Sequence, residues 1–136
     1  MWKDEYAIGV DHIDEQHKSL FNKTGELLGL AADGVDKNRE SIIEIIVFLK
    51  GYALNHFKAE EDYQKAIKYE GFDDHQAEHK AFIKTVLQHE AAMVASNFAE
   101  KDVNNFATAL NLWLTFHVTN SDQKIVGKSP LNDIVM

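Results

Sequence analysis

Residues 41–67 read SIIEIIVFLKGYALNHFKAEEDYQKAI, and their spacing predicts one long helix. Ile42, Ile45, Ile46, Leu49, Tyr52, Ala53, His56, Glu60, Tyr63 and Ile67 recur at three- and four-residue steps and so share one face. The first part of that stripe is apolar, whereas its second part carries His56 and Glu60. An imidazole and a carboxylate on a core-facing stripe are costly to bury unpaired, and a bound metal ion is the usual way such groups are tolerated. The helix is expected from about Arg39 to Tyr69, with Gly71 stopping it.

The same pattern recurs on both sides. A first helix is predicted from about Asp14 to Ala32, with Ile13, Leu20, Phe21, Leu27, Leu28 and Ala31 on one face and His17 among them. Asp33-Gly34 ends it, the glycine being available for a left-handed cap. A third helix, capped by Asp73 or Asp74, runs to about Ser96 with His75, His79, Phe82, Val86 and Met93 on its stripe. A fourth starts near Lys101 and carries Val103, Phe106, Leu110, Trp113, Leu114 and His117. Short connections force antiparallel neighbours, so the expected fold is all-α: an up-down-up-down antiparallel four-helix bundle with an irregular N-terminal arm. The chain then divides into an arm (1–12), a bundle (13–127) and a C-terminal tail (128–136), with Trp2, Tyr6 and Ile8 anchoring the arm.

Composition narrows the function. A chain of 136 residues with 45% hydrophobic content and one proline fits one helix-rich globular domain. A net charge of -8 argues against nucleic acid and anionic membrane surfaces as partners. There is no cysteine, which excludes disulfides, thiolate metal sites and cysteine nucleophiles, so any metal must be held by nitrogen and oxygen. The polar N-terminus does not read as a signal peptide and no apolar run approaches membrane-spanning length, which makes the cytoplasm the expected location and membrane insertion unexpected. A monomer is favoured over a stable oligomer.

The spacings of the polar residues point to chemistry. Residues four apart lie about 40° from each other on an α-helix, so His56 with Glu60, and His75 with His79, can share one metal ion or serve adjacent ones. His117 and Asp122 are five apart, about 140° around a straight helix, and can meet only where the helix ends or loosens. Thr119-Asn120-Ser121 is the expected break, because these side chains compete with the backbone for hydrogen bonds. Five imidazoles and two carboxylates exceed what one zinc ion takes, and suit two six-coordinate ions sharing bridging carboxylates with one position open. Iron, cobalt, nickel, copper and zinc all accept such ligands.

Trp2, Ile13-Asp14-Glu15-Gln16-His17-Lys18-Ser19-Leu20, His56-Phe57-x-x-Glu60-Glu61, His75-x-x-x-His79-x-x-Phe82 and Trp113-Leu114-x-x-His117-x-x-x-x-Asp122 together make the sequence resemble the hemerythrin family, in particular its single-domain bacterial members. The resemblance implies a non-haem centre of two iron ions with an oxo or hydroxo bridge, binding dioxygen reversibly. It implies that His75, His79 and His117 hold one iron, His17 and His56 the other, and that Glu60 and Asp122 bridge them. It also implies an apolar dioxygen pocket, for which Leu20, Phe57, Trp113, Leu114 and Val118 are the matching candidates. The chain departs from common family patterns at Tyr63, where methionine is frequent, and at Gly71-Phe72, where tyrosine-proline is frequent; the Tyr63 hydroxyl is expected within reach of the site.

The implied function is therefore an oxygen carrier, store or delivery protein rather than an enzyme. The alternative is a di-iron redox enzyme or sensor acting on dioxygen, peroxide or nitric oxide. The Glu-x-x-His motifs of ferritin-like oxidases occur nowhere in the sequence. His12 is expected at the surface, His89 exposed or beside Glu90, Glu61 on a solvated face, Asp14 as a helix cap, and Gln16 and Lys18 on a polar face.

Overall fold

In a computed structural model of the chain, which describes residues 2–131, the helical stripes fold against one another as four long helices. These are α1 (Asp11–Asp33), α2 (Arg39–Ala66), α3 (Phe72–Ala95) and α4 (Glu100–Phe116), followed by a π-helical turn (His117–Ser121) and a short α5 (Asp122–Ile125). α1 packs on α2 and α4, and α3 packs on α2 and α4, which closes the up-down-up-down antiparallel bundle. The expected stripes form the core: Ile13, Phe21, Leu27, Ile42, Met93, Val103 and Phe106 are all buried. No strand occurs among the described residues, and no helix is long and apolar enough to cross a membrane.

Several boundaries differ from the sequence reading, each for a local reason. α1 begins at Asp11 rather than Asp14. Asp14 therefore lies inside the helix, where its carboxylate accepts hydrogen bonds from the Ile8 and Gly9 N–H groups at 2.8 and 3.1 Å and pins the arm to the bundle. The arm is not wholly irregular: Asp4–Tyr6 form a 3-10 turn, Tyr6 and Ile8 are buried, and the Gln123 amide donates to the Tyr6 carbonyl at 2.9 Å. Gly34 ends α1 with φ 138 and ψ 115, a positive-φ conformation but not the left-handed helical one.

α2 ends at Ala66, before Tyr69. Lys68 turns the chain at φ 56, and the Tyr69 N–H reaches back to the Gln64 carbonyl at 2.9 Å, satisfying a group that the finished helix leaves unpaired. Gly71 does not stop α2 but precedes α3 as its N-cap, and neither Asp73 nor Asp74 caps the helix; both sit in its first turn, where their charge suits the helix dipole. The expected tail falls partly at 132–136, outside the described residues; before it, the Leu131 N–H donates to the Thr119 carbonyl at 2.8 Å.

Candidate metal centre

Each of the four long helical segments delivers its polar stripe residues to one buried point. His17 comes from α1, His56 and Glu60 from α2, His75 and His79 from α3, His117 from the π turn that follows α4 and Asp122 from the start of α5; all are buried to within 2% exposure. The break expected near Asn120 is the π turn. There the Asp122 N–H bonds to the His117 carbonyl, five residues back, while the Thr119 hydroxyl donates to the Thr115 carbonyl at 2.7 Å. The wider turn brings residues five apart onto one face, and His117 Nε2 stands 3.1 Å from Asp122 Oδ1.

The two carboxylates divide their oxygens between two groups of imidazoles. Glu60 Oε1 lies 2.7 Å from His75 Nε2, 3.0 Å from His79 Nε2 and 3.5 Å from His117 Nε2. Its other oxygen, Oε2, lies 3.3 Å from both His17 Nε2 and His56 Nε2. Asp122 repeats the division: Oδ1 is 3.1 Å from His75 and His117, and Oδ2 is 2.9 Å from His17. Two tight sets result, Glu60 with His75, His79 and His117, and Glu60 and Asp122 with His17 and His56, the ligand-type atoms of each lying within 4.8 Å of one another.

This donor set fits cations. His17 Nε2, Glu60 Oε2 and both Asp122 oxygens are buried with no hydrogen-bond partner, although imidazoles and carboxylates stand within ion-pair distance. Nitrogen and oxygen lone pairs converging in a dry interior are satisfied by positive charge. The titration of the imidazoles points the same way. Burial pushes His17 down, but hydrogen bonds and charge from Asp122 and Glu60 outweigh it and raise its pKa from 6.5 to about 9. His75 is raised to about 9 by the same balance, and His117 is raised well above its ordinary value against the same burial penalty. At His56 burial wins and lowers the pKa. Burial also works against the charge of Glu60 and Asp122, yet the surrounding histidines hold both carboxyls below their ordinary range.

A further layer orients the rings. His56 Nδ1 is 2.7 Å from Gln16 Oε1, and His79 Nδ1 is 2.8 Å from Glu61 Oε2. His117 Nδ1 is 3.4 Å from Glu78 Oε1, which also accepts from the Ser121 hydroxyl at 2.6 Å. The His117 contact, with Ser121, lowers the Glu78 pKa to about 2. Gln16 and Glu61 thus belong to the centre, contrary to their expected places on a polar and a solvated face, and Glu78 went unnoticed in sequence, as did its bond from Ser121, read there only as part of the helix break. Their signal is weak in sequence: each is an ordinary helix-surface residue whose partner lies on another helix.

The apolar candidates are brought close in part. Phe57 stacks on His79 with centroids 4.1 Å apart, and Trp113 stacks on His117 at 4.3 Å. Leu20, Leu114 and Val118 are buried in the same core cluster. Tyr63 is half-buried, with its ring edge-on to the exposed His12 at 6.4 Å; Gln64, not Tyr63, is the fully buried residue one turn beyond Glu60. His89 is half-buried 5.7 Å from the Phe106 ring, and Glu90 pairs instead with Lys50.

Comparison with known proteins agrees with this geometry. Residues 8–128 match the model of the hemerythrin HHE cation binding domain. A bacteriohemerythrin of Clostridium acetobutylicum is 35% identical over 131 residues, covering 93% of this chain and 98% of its own length. A bacteriohemerythrin of Methylococcus capsulatus is 30% identical over 88% of this chain and 87% of its own, and the myohemerythrin of Theromyzon tessulatum is 25% identical over 93% and 91%. With a cation-binding bundle of this kind matched along nearly its whole length, the chain belongs to the hemerythrin family.

Proposed function

We propose that the seven side chains hold two iron ions and that the protein binds dioxygen reversibly, as a carrier, store or delivery protein. The observation that carries this reading is the division of the Glu60 and Asp122 oxygens between two histidine groups, which is the arrangement two bridged ions require. His75, His79 and His117 would hold one ion, His17 and His56 the other, with Glu60 and Asp122 shared. The group with His17 and His56 offers fewer imidazoles, which would leave an ion held there a position for a small ligand.

Iron supplies reversible electron exchange with dioxygen; the chain supplies the surroundings. Glu61 accepts at His79 Nδ1 and Gln16 at His56 Nδ1, which directs the Nε2 lone pairs inward. Glu60 and Asp122 offset part of the cation charge in an interior that could not otherwise hold it. The aromatic platforms of Phe57 and Trp113 exclude water from the two rings they cover. An oxygen carrier needs that exclusion, because water and charged species promote irreversible oxidation.

The test is to load the protein with iron anaerobically, count iron per chain, and follow the optical spectrum through cycles of dioxygen addition and removal. Two irons and a charge-transfer band that comes and goes with dioxygen support the reading. One-way conversion to an oxidised spectrum favours a redox enzyme or sensor instead. A single metal per chain refutes the ligand assignment.

A further inference from the structure

Behind the Phe57 ring that stacks on His79, α2, α3 and α4 line an apolar cavity of about 200 Å3 that opens to solvent. Leu49, Ala53, Phe57, Phe82, Val86 and Leu110 are among its walls, and Lys50 is its one polar lining residue. That ammonium is already engaged, 3.0 Å from both oxygens of Glu90 across the α2–α3 seam. Leu54 and Leu87 also line the cavity and are 44% and 48% exposed, so they mark its mouth. A second cavity of about 190 Å3 lies beside His75 and has the opposite character, lined by Tyr69, Asp74, Glu78, Ser121 and Lys124.

The two cavities are alike in size and differ in what they can hold. A buried water needs two to four polar partners, and an apolar cavity of about 150 Å3 lined by Leu, Ile and Phe stays dry and takes up benzene or xenon. The α2–α3–α4 cavity meets that description in both size and lining. Two of its walls reach the centre's histidines: Phe57 stacks directly on His79 at 4.1 Å, and Phe82 stacks at 3.9 Å on Trp113, which stacks on His117.

We propose that this cavity is a binding site for a small nonpolar molecule, no larger than benzene, and that dioxygen occupies it on the way to or from the centre. Naming dioxygen rests on the function proposed above; the affinity for nonpolar molecules does not. The arrangement separates traffic by chemistry, with nonpolar molecules on the Phe57 and Phe82 side and water or ions on the His75 side.

Xenon is the probe, added to the iron-loaded protein and followed by xenon NMR. A saturable shift is expected in the parent chain. It should be lost in Ala53→Phe, which fills the cavity from α2, and in Val86→Phe, which fills it from α3; two variants guard against one failing to fold, as checked by circular dichroism. Only a linear, unsaturable shift in the parent, or a saturable shift surviving in both folded variants, overturns the site. Self-association abolished by the same substitutions would also overturn it, making this face an interface between copies. Dioxygen association is then timed in variants with full iron content. Slower association supports dioxygen as the occupant; an unchanged rate with xenon binding lost overturns that identification and leaves the nonpolar site standing.

Discussion

His117 Nε2 and Asp122 Oδ1 stand 3.1 Å apart although five residues separate them, and a π turn makes this possible. On a straight α-helix the two side chains would diverge by about 140°. The turn inserts the extra backbone needed to return Asp122 to the face of His117, and its Ser121 hydroxyl is tied to Glu78 on α3. Helical π turns recur at functional sites for this reason.

Deleting Asn120, half-buried in the turn, removes the extra residue and leaves Asp122 four positions after His117, so the segment should relax to an ordinary α-helix with the two still about 40° apart. Inserting an alanine after Asn120 instead moves Asp122 a further ~100° round, and we expect helicity to persist there while iron content falls by half or more; the deletion should keep most of its iron. Full iron content in the insertion variant would mean that Asp122 is dispensable.

Glu61 fixes the orientation of His79 through a 2.8 Å contact. Replacing such a partner typically weakens metal affinity about 10–100-fold. Glu61→Ala should do so in a competitive chelator titration, with Glu61→Gln closer to the parent chain because an amide oxygen still accepts. Equal affinity in all three proteins would confine Glu61 to the surface.

Metal-free protein should show a stability optimum that the loaded protein lacks on its alkaline side. His17 and His75 are raised from 6.5 to about 9, so the stability they contribute is complete below 6.5 and disappears as pH rises through 9. Glu60 and Asp122 are held below their ordinary range, so their contribution is present above it and is lost on acidification. His56, lowered by burial, adds a penalty as pH falls below its ordinary value. Melting temperature without metal should therefore decline as pH rises from about 6.5 through 9, and again below about pH 5. With metal bound the imidazoles are neutral ligands, and the melting temperature should rise and the alkaline decline vanish. Identical profiles with and without metal would contradict a buried site.

Phe57 is a wall of the apolar cavity and the platform under His79. Truncation to Ala should cost about 3–5 kcal/mol in urea unfolding, the usual range for a buried phenylalanine. A loss below 1 kcal/mol, well under the range for core truncations, would show that the surrounding rings collapse into the gap.

Gly71 sits against the end of the Tyr69 side chain, at a negative φ that needs no glycine. A Cβ there would lie 2.7 Å from the ring carbon Cζ and the hydroxyl of Tyr69, whose ring walls the polar cavity beside His75. Gly71→Ala should push the end of the Tyr69 side chain aside with only a small loss of stability. It should also speed metal loss to a chelator, and Tyr69→Ala should reproduce that rate. An unchanged rate in Gly71→Ala would show that the ring swings aside freely.

The four helices, their core faces and the convergence of His17, His56, Glu60, His75, His79, His117 and Asp122 were legible in sequence. Helical periodicity alone places such residues on inward faces, and a buried imidazole or carboxylate stands out among leucines and isoleucines. Even the break before Asp122 could be read, because five-residue spacing conflicts with helical geometry at a point rich in Thr, Asn and Ser.

Other features depended on which helix faces which. Gln16 and Glu61 look solvent-exposed by periodicity, yet they reach His56 and His79 across helix seams, over separations of 40 and 18 residues. Their role follows from how the helices are rotated and packed, which a single helix's pattern does not contain. The approach of Gly71 to the Tyr69 ring and the apolar cavity among three helices likewise exist only once the neighbours are in place. Sequence periodicity determined which residues point inward; tertiary packing alone decided what each one meets there, because contact distances are set between helices rather than along them.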